Sequence, residues 1–194
     1  ISNDKNFGIS INRLAITGDL ENGFQPVASS TGNTLCVFNG AIFNTDELLK
    51  NFSLEPISKN DVAVVLELYE KVGESFLNYV RGMFTLIVID RKKKSLLVSR
   101  DILGIKPLYW VSEGDVIFFS STIAAIPEKF HQLTKAFPPG AVWRDRIFLE
   151  PIKIQVKQRK DIEAILLGAV ETHIPKEVKW GCSLSGGVDS ALLT

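Results

Sequence analysis

Ser185-Gly186-Gly187-Val188-Asp189-Ser190 follows an apolar run, Val178 to Leu184, that reads as a buried strand, and it opens into Ala191-Leu192-Leu193, the first turn of a helix. A strand, a glycine pair and a helix start together make a phosphate cradle. Adjacent glycines let the backbone turn tightly and approach an anion, successive N–H groups converge, and the helix N-terminus adds a favourable dipole. Ser185 and Ser190 contribute hydroxyl donors, while Asp189 suits a helix cap or a carboxylate that helps hold a metal accompanying a polyphosphate. The same six residues also fit an ordinary turn with a helix N-cap. The rest of the chain decides between the two.

No Gly-Lys-Ser/Thr is present, so the stretch is not the Walker loop. It resembles instead the PP-loop of the ATP pyrophosphatases, which cleave ATP between the α and β phosphates and adenylate a substrate. Working back from it, Asp161 starts a helix on which Ile162, Ile165, Leu166, Ala169 and Val170 form one stripe, and Lys157-Gln158-Arg159-Lys160 reads as an exposed connector. Helix, strand, loop and helix open an α/β unit. A nucleotide-binding parallel sheet needs several crossovers of roughly 30 residues each, and the chain holds one, so it reads as part of a larger protein.

Further upstream the period changes. Strand patterns cover Met83 to Ile89, Leu96 to Ser99, Pro107 to Val111 and Val116 to Ser120, with the basic turn Arg91 to Lys94 between the first two. From Pro138-Pro139-Gly140 a final strand-like piece is expected to lead the chain out of this domain. Asn60 or Asp61 starts a helix with Val64, Val65, Leu68, Tyr69 and Val72 on one face, and Gly73 stops it. A second short helix carries Phe76, Leu77 and Val80. Before these, Asn44 or Thr45 caps a helix over Asp46 to Lys50. Leu35 to Phe38 is a compact strand ending at Asn39-Gly40, a turn dipeptide. Thr17 to Thr34 reads as loop or hairpin, and Phe7 to Ile16 as a strand carrying Arg13. Antiparallel strands with helices grouped early and late argue for an α+β layered domain over residues 1–150, with residues 151–194 starting the second.

Composition narrows the function classes. Among 194 residues, 22 Lys and Arg balance 22 Asp and Glu, so nothing points to nucleic acid or to an anionic membrane as a partner. No apolar run approaches the roughly 18 residues of a membrane span. Cys36 and Cys182 both fall in apolar runs and are expected to be buried free thiols, which suits a reducing, cytoplasmic compartment. His131 and His173 are isolated, and no metal site made of protein ligands alone is expected.

The ordered series Asn12-Arg13-Leu14-Ala15-Ile16, Gln25-Pro26, Phe38 to Asn44, Asp61, Arg81-Gly82-Met83-Phe84, Arg100-Asp101-Ile102-Leu103-Gly104-Ile105-Lys106-Pro107-Leu108-Tyr109, Phe137 to Gly140 and Leu184 to Ser190 resembles glutamine-dependent asparagine synthetase over nearly the whole chain. The resemblance implies a four-layer αββα glutaminase domain of the N-terminal-nucleophile fold, followed by the beginning of an α/β PP-loop adenylating domain. It further implies that ammonia released from glutamine travels to a site where ATP and Mg²⁺ have converted aspartate to β-aspartyl-AMP. ATP and Mg²⁺ are then co-substrate and counter-ion, and no tightly bound cofactor is implied.

Hydrolysing a carboxamide takes a nucleophile, a base, and donors for the tetrahedral oxyanion. The resemblance gives the donor role to the Asn39 side chain and the Gly40 backbone N–H. Arg13 would hold the glutamine α-carboxylate and Asp61 its α-ammonium. ATP would lie on Leu184, Ser185, Gly186, Gly187, Val188, Asp189 and Ser190. The family's nucleophile is a cysteine at the mature N-terminus, well before the position of Arg13, and Cys36 lacks the free α-amino group to replace it. The family's glutamate after Asn-Gly is Ala41 here, which throws glutamine binding onto Asp61. These departures raise an alternative, a relative with an inactive glutaminase domain such as a β-lactam-forming ligase, or a non-catalytic binding module. Synthetases of this kind pair, so a homodimer is the assembly to test. Arg100-Asp101 is read as a salt-bridged turn that packs the sheet.

Overall fold

The computed structural model describes residues 7–11, 24–58, 60–152, 161–174 and 179–194. In chain order the strands are β1 (Val27–Ala28), β2 (Thr34–Ile42), β3 (Gly82–Asp90), β4 (Ser95–Arg100), β5 (Tyr109–Glu113), β6 (Val116–Ser120), β7 (Lys135–Ala136), β8 (Val142–Arg144) and β9 (Ile147–Phe148). The helices are α1 (Thr45–Phe52), α2 (Asp61–Val72), α3 (Ile162–His173) and α4 (Val188–Leu193). One antiparallel sheet runs β1-β2-β3-β4-β8-β9 and a second runs β6-β5-β7.

Side-chain alternation along these strands stacks the layers. Cys36, Phe38, Phe84, Leu86, Val88 and Leu97 face α2, which buries Val64, Val65, Leu66 and Leu68 against them. Each such side chain contributes roughly 1.5–3 kcal/mol when fully removed from water. The opposite face of the large sheet presents Ile87, Leu96, Val98 and Trp143 to Trp110, Ile117 and Phe119 of the small one. Val111 then packs outward on Ile126 and Phe130. The layering is therefore helix, sheet, sheet, helix, but the outermost layer is made of 3-10 turns, Ile123–Ala125 and Glu128–Leu133.

α2 starts and stops where its sequence signals stand. The Asn60 side chain accepts from the Ala63 N–H, and Gly73 closes the helix at φ 63°. The following segment is a 3-10 helix, Gly73–Asn78, that stops before Val80. Asn44 occupies the N-cap position of α1 but makes no side-chain cap. Its carboxamide donates to the Tyr79 carbonyl and accepts from the Arg81 N–H at 2.9 and 2.8 Å, pinning the entry to β3 instead.

Several expectations are corrected. β2 does not end at Phe38: Asn39-Gly40 lies inside the strand, because β3 pairs with it along the full run from Thr34↔Asp90 to Ile42↔Gly82. Residues 7–11 form no strand; Arg13, the rest of that expected strand, and residues 17–23 of the expected loop lie outside the described residues. The final strand-like piece expected after Gly140 forms as β8. β8 returns to pair with β4, Val98 opposite Trp143, and so closes the large sheet.

Beyond residue 160, α3 is capped by Asp161, which accepts from Ala164 N–H. Its apolar residues face solvent, with Ile162 71% exposed. The strand expected before the glycine pair does not form over the described residues 179–184, which are exposed. A strand needs a neighbour for its backbone groups, and none of the described strands pairs there. Cys182 is consequently exposed, while Cys36 is buried. The connector Lys157-Gln158-Arg159-Lys160 and Val178 lie outside the described residues.

Candidate active site

Asn39 and Gly40 sit near the C-terminal end of β2, and the site is built around their strand edge. Gly40 is there because its φ of 156° is one that L side chains rarely adopt and because a side chain on that backbone would run into β3. A Cβ on Gly40 would lie 2.1 Å from the Met83 carbonyl oxygen and 2.7 Å from Phe84 Cα, and one on Gly82 would lie 2.3 Å from the Ala41 oxygen. Gly40 stands opposite Phe84 and Gly82 opposite Ile42, two rungs apart, and at each the facing backbone leaves no room for a side chain.

In an antiparallel ladder, alternate residues turn their N–H and C=O groups toward and away from a given neighbour. Phe38 turns both away from β3: its N–H donates to Gln25 Oε1 at 2.7 Å and its carbonyl accepts from Gln25 Nε2 at 2.9 Å. Ile42 does likewise, its N–H reaching Asp61 Oδ2 at 3.2 Å. Gly40 lies between them in the same phase. By that alternation its N–H is directed to the same edge, away from β3. Beside it, the Asn39 side chain is exposed.

Asp61 is buried at the first turn of α2. Besides Ile42, its carboxylate accepts from the Val62 N–H at 3.0 Å. The helix start thus delivers a carboxylate two residues past Gly40. Three of the sequence-derived glutaminase residues, Asn39, Gly40 and Asp61, come together at one end of β2. Arg13 lies outside the described residues.

Behind β3, Arg100 and Asp101 brace the same region without forming an ion pair with each other among the described residues. Asp101 is buried, and its carboxylate accepts from the N–H groups of Phe84, Ile105 and Lys106 at 3.2, 2.9 and 3.0 Å. The Arg100 guanidinium donates to the carbonyls of Lys106, Phe137 and Gly104. The salt-bridge reading is corrected on this point. Each charge is satisfied by backbone, in charge-assisted hydrogen bonds that tie the turn to Phe84 and to Phe137. Phe84, held by Asp101, is the register partner of Gly40.

Sequence reasoning missed Gln25 and Asp101 as parts of this site. The signal for Gln25 was its position before a strand start; for Asp101 it was an acid within a turn rich in N–H groups. Cys36 is three residues from Asn39, but burial pushes its thiol well above the ordinary range, a backbone hydrogen bond at Ile87 opposes, and the Asp61 charge adds to the rise. It is no nucleophile.

The second candidate site holds together differently. Gly186 has φ 81° and Gly187 takes the N-cap position of α4, a role in which Asp189 was expected. Ser185 Oγ and Ser190 Oγ lie 2.9 Å apart, Ser190 also donates to the Gly187 carbonyl at 2.9 Å, and the Gly187 N–H reaches Ser185 Oγ at 3.4 Å. Leu184 to Asp189 are exposed. Among the described residues no group of His, Cys, Asp and Glu is arranged to hold a metal ion, and no helix is long and apolar enough to cross a membrane.

Comparison with known proteins places these observations in a family. The glutamine amidotransferase domain family matches residues 1–168. The glutamine-hydrolyzing asparagine synthetase 2 of Oryza sativa subsp. japonica is 31% identical over 199 residues, covering 93% of this chain and 32% of that protein. Glutamine-hydrolyzing asparagine synthetase B of Escherichia coli (strain K12) is 29% identical over 198 residues, covering 94% of this chain and 35% of that protein. The chain thus spans about a third of the length of these relatives. Among solved structures, the glutamine phosphoribosylpyrophosphate amidotransferase from B. subtilis superposes with a TM-score of 0.55 at 19% identity, over 68% of this chain and 32% of that one. That likeness establishes the fold.

Proposed function

The chain belongs to the glutamine amidotransferase domain family, and from that premise we propose that it is the glutamine-hydrolysing part of an ATP-dependent ligase that makes asparagine from aspartate through β-aspartyl-AMP. The observation that carries the reading is the edge of β2. An exposed Asn39 carboxamide and the outward Gly40 N–H lie side by side, a pair of donors suited to the oxyanion that forms when a carboxamide is attacked. Buried Asp61, fixed by two backbone N–H groups, supplies a charged carboxylate for the substrate ammonium. Arg13 completes the pocket in this proposal by pairing with the α-carboxylate.

The asparagine half rests on the names of relatives aligned over more than nine-tenths of the chain, which favours this reading over an inactive relative. Residues 1–150 form the glutaminase domain and residues 151–194 begin the adenylating one. In the latter, Leu184 to Ser190 receive the polyphosphate of ATP. The residues fit that group: a left-handed glycine, N–H groups that precede a helix, and two hydroxyls exposed to solvent. ATP with Mg²⁺ supplies the activating adenylyl group. Glutamine, aspartate and ATP are thus the proposed ligands, with no nucleic acid or membrane partner; a cytoplasmic homodimer is proposed for the assembly.

The test uses the protein expressed from its complete reading frame. Arg13→Ala is expected to abolish asparagine synthesis from glutamine while leaving synthesis from ammonia intact. Equal loss of both overturns the assignment.

A further inference from the structure

β1 pairs with β2 in the register Val27↔Cys36 and Ala28↔Leu35. Continued by one rung of the same phase, that register sets residue 25 opposite Phe38. A backbone strand there would bond Phe38, and its next rung would reach Gly40. The structure does something else. Gln25 is half-buried, and its side-chain carboxamide occupies the rung, accepting from Phe38 N–H and donating to Phe38 C=O as a peptide group would. A carboxamide has one donor face and one acceptor face and no continuation. It completes a ladder position and ends the ladder there.

We propose that Gln25 is a positioning residue for glutamine hydrolysis, closing the β2 edge at Phe38 so that the Gly40 N–H two residues on stays aimed at the oxyanion. This rests on the glutaminase reading given above. Asp61 closes the edge on the other side at Ile42. Gly40 N–H is left between two occupied positions, on a strand that β3 flanks from Thr34↔Asp90 to Ile42↔Gly82. An edge strand without such closures presents a row of donors that any extended segment can pair with. Gln25 removes the donor next to Gly40 from that row at no loss of backbone satisfaction.

Gln25→Met, made in the protein expressed from its complete reading frame, keeps side-chain length and removes both hydrogen bonds. Glutaminase kcat is expected to fall about tenfold to hundredfold, with KM for glutamine and ammonia-dependent synthesis nearly unchanged and the thermal midpoint lowered by a few degrees as the Phe38 backbone groups lose their partner. Gln25→Glu keeps an acceptor for Phe38 N–H but sets an oxygen against the Phe38 carbonyl, and should fall at least as far. A kcat within about twofold of wild type overturns the proposal, as does a rise in KM alone or a fall in step with the ammonia-dependent rate. Hydrogen exchange read at single residues supplies an arm independent of activity. Gly40 should exchange at least about tenfold faster than Phe38 and Ile42, and Gln25→Met should release Phe38 while Val37 and Asn39, bonded to β3, stay protected. If wild type hydrolyses no glutamine, the functional reading fails, and slow exchange at Gly40 separately sinks the positioning role.

Discussion

A methyl group added to Gly40 would meet the Met83 carbonyl oxygen at 2.1 Å, whereas one added to Gly186 would meet nothing within 4 Å. Both glycines belong to stretches that read as turns, Asn39-Gly40 and Ser185 to Ser190, and both are assigned to ligands. Their reasons for being glycine differ. Gly40 combines φ 156° with the close approach of a neighbouring backbone inside a sheet, whereas Gly186 needs only its left-handed turn at φ 81° in open space. Around Gly40 the neighbouring polar groups are held by partners from distant parts of the chain, Gln25, Asp61 and Asp101. Around Gly186 the hydroxyls of Ser185 and Ser190 bond each other. The first site is preorganised by the fold, while the second takes its shape from a few local bonds.

The widest gap between the two should come from Gly40→Ala. The clash is with backbone, which cannot swing aside, so β2 and β3 must part. A loss of about 3 kcal/mol or more in denaturant unfolding is expected, together with glutaminase activity reduced by roughly a hundredfold or beyond. Stability within about 1 kcal/mol of wild type would mean that the strands are looser than their register implies. Next in size is Asp101→Ala, which strips the acceptor from Phe84, Ile105 and Lys106 N–H at once. With each orphaned buried donor costing about 1–3 kcal/mol and some relief from water at the turn, about 2–3 kcal/mol is expected. Asp101→Asn, which can accept at one oxygen only, should recover part of that loss.

Why these residues were only partly legible follows from the same contrast. The helix of Asp61 to Val72 announced both its ends, because Asn60 and Gly73 act through bonds three or four residues away. The hairpin of β3 and β4 was legible from its alternation and basic turn. Asn39-Gly40 misled as a turn, since what keeps it in the strand is its pairing with Thr85 and Phe84, more than forty residues away and invisible to a local pattern. Arg100-Asp101 read as a mutual pair because opposite charges adjoin in sequence. The structure gives each to backbone groups that only the folded turn assembles. The strand before Gly186 failed for a related reason: an apolar run specifies a strand only where a neighbour exists to complete its ladder.

A smaller effect probes the far end of the Gly40 strand pair, where Thr34 meets Asp90. Tyr69 Oη donates to Asp90 Oδ2 at 3.0 Å, and Lys93 reaches the same oxygen at 3.3 Å. Burial would raise the Asp90 carboxyl, but the Lys93 N–H, the Tyr69 hydroxyl and the Lys93 ammonium outweigh it and hold it below the usual carboxylate range. A depressed folded value stabilises the fold above the unfolded pKa of about 3.9, and that stabilisation is lost as pH falls through the folded value. Burial first, then the hydrogen bond and charge of Asp90, raise Tyr69, so its contribution is complete below about pH 10 and is lost as pH rises through its folded value. Asp90→Asn is expected to cost about 1 kcal/mol near neutrality. Its difference from wild type should shrink in thermal melts below about pH 4; a difference constant from pH 3 to pH 7 would refute the assignment.

The smallest change in stability is expected from Gly187→Ala, and it sharpens the comparison most. Gly187 has φ −78° and ψ 161°, a conformation open to alanine, and the nearest atoms to an added Cβ are Ser185 Oγ at 3.6 Å and Ser190 Oγ at 4.0 Å. Alanine is a poorer N-cap than glycine, but it also restricts the unfolded chain, and the two effects oppose each other. Stability should therefore stay within about 0.5 kcal/mol of wild type. If Leu184 to Ser190 receive a polyphosphate, the same methyl stands where the backbone must approach the anion, and ATP-dependent synthesis from ammonia should collapse while glutamine hydrolysis persists. At Gly40, by contrast, stability and activity should fall together, because the backbone that carries the proposed oxyanion donors is the backbone packed against β3. A Gly187→Ala protein that loses stability as Gly40→Ala does would make the second glycine structural after all. One that keeps both stability and ATP-dependent synthesis would leave Ser185 to Ser190 an ordinary helix-capping turn.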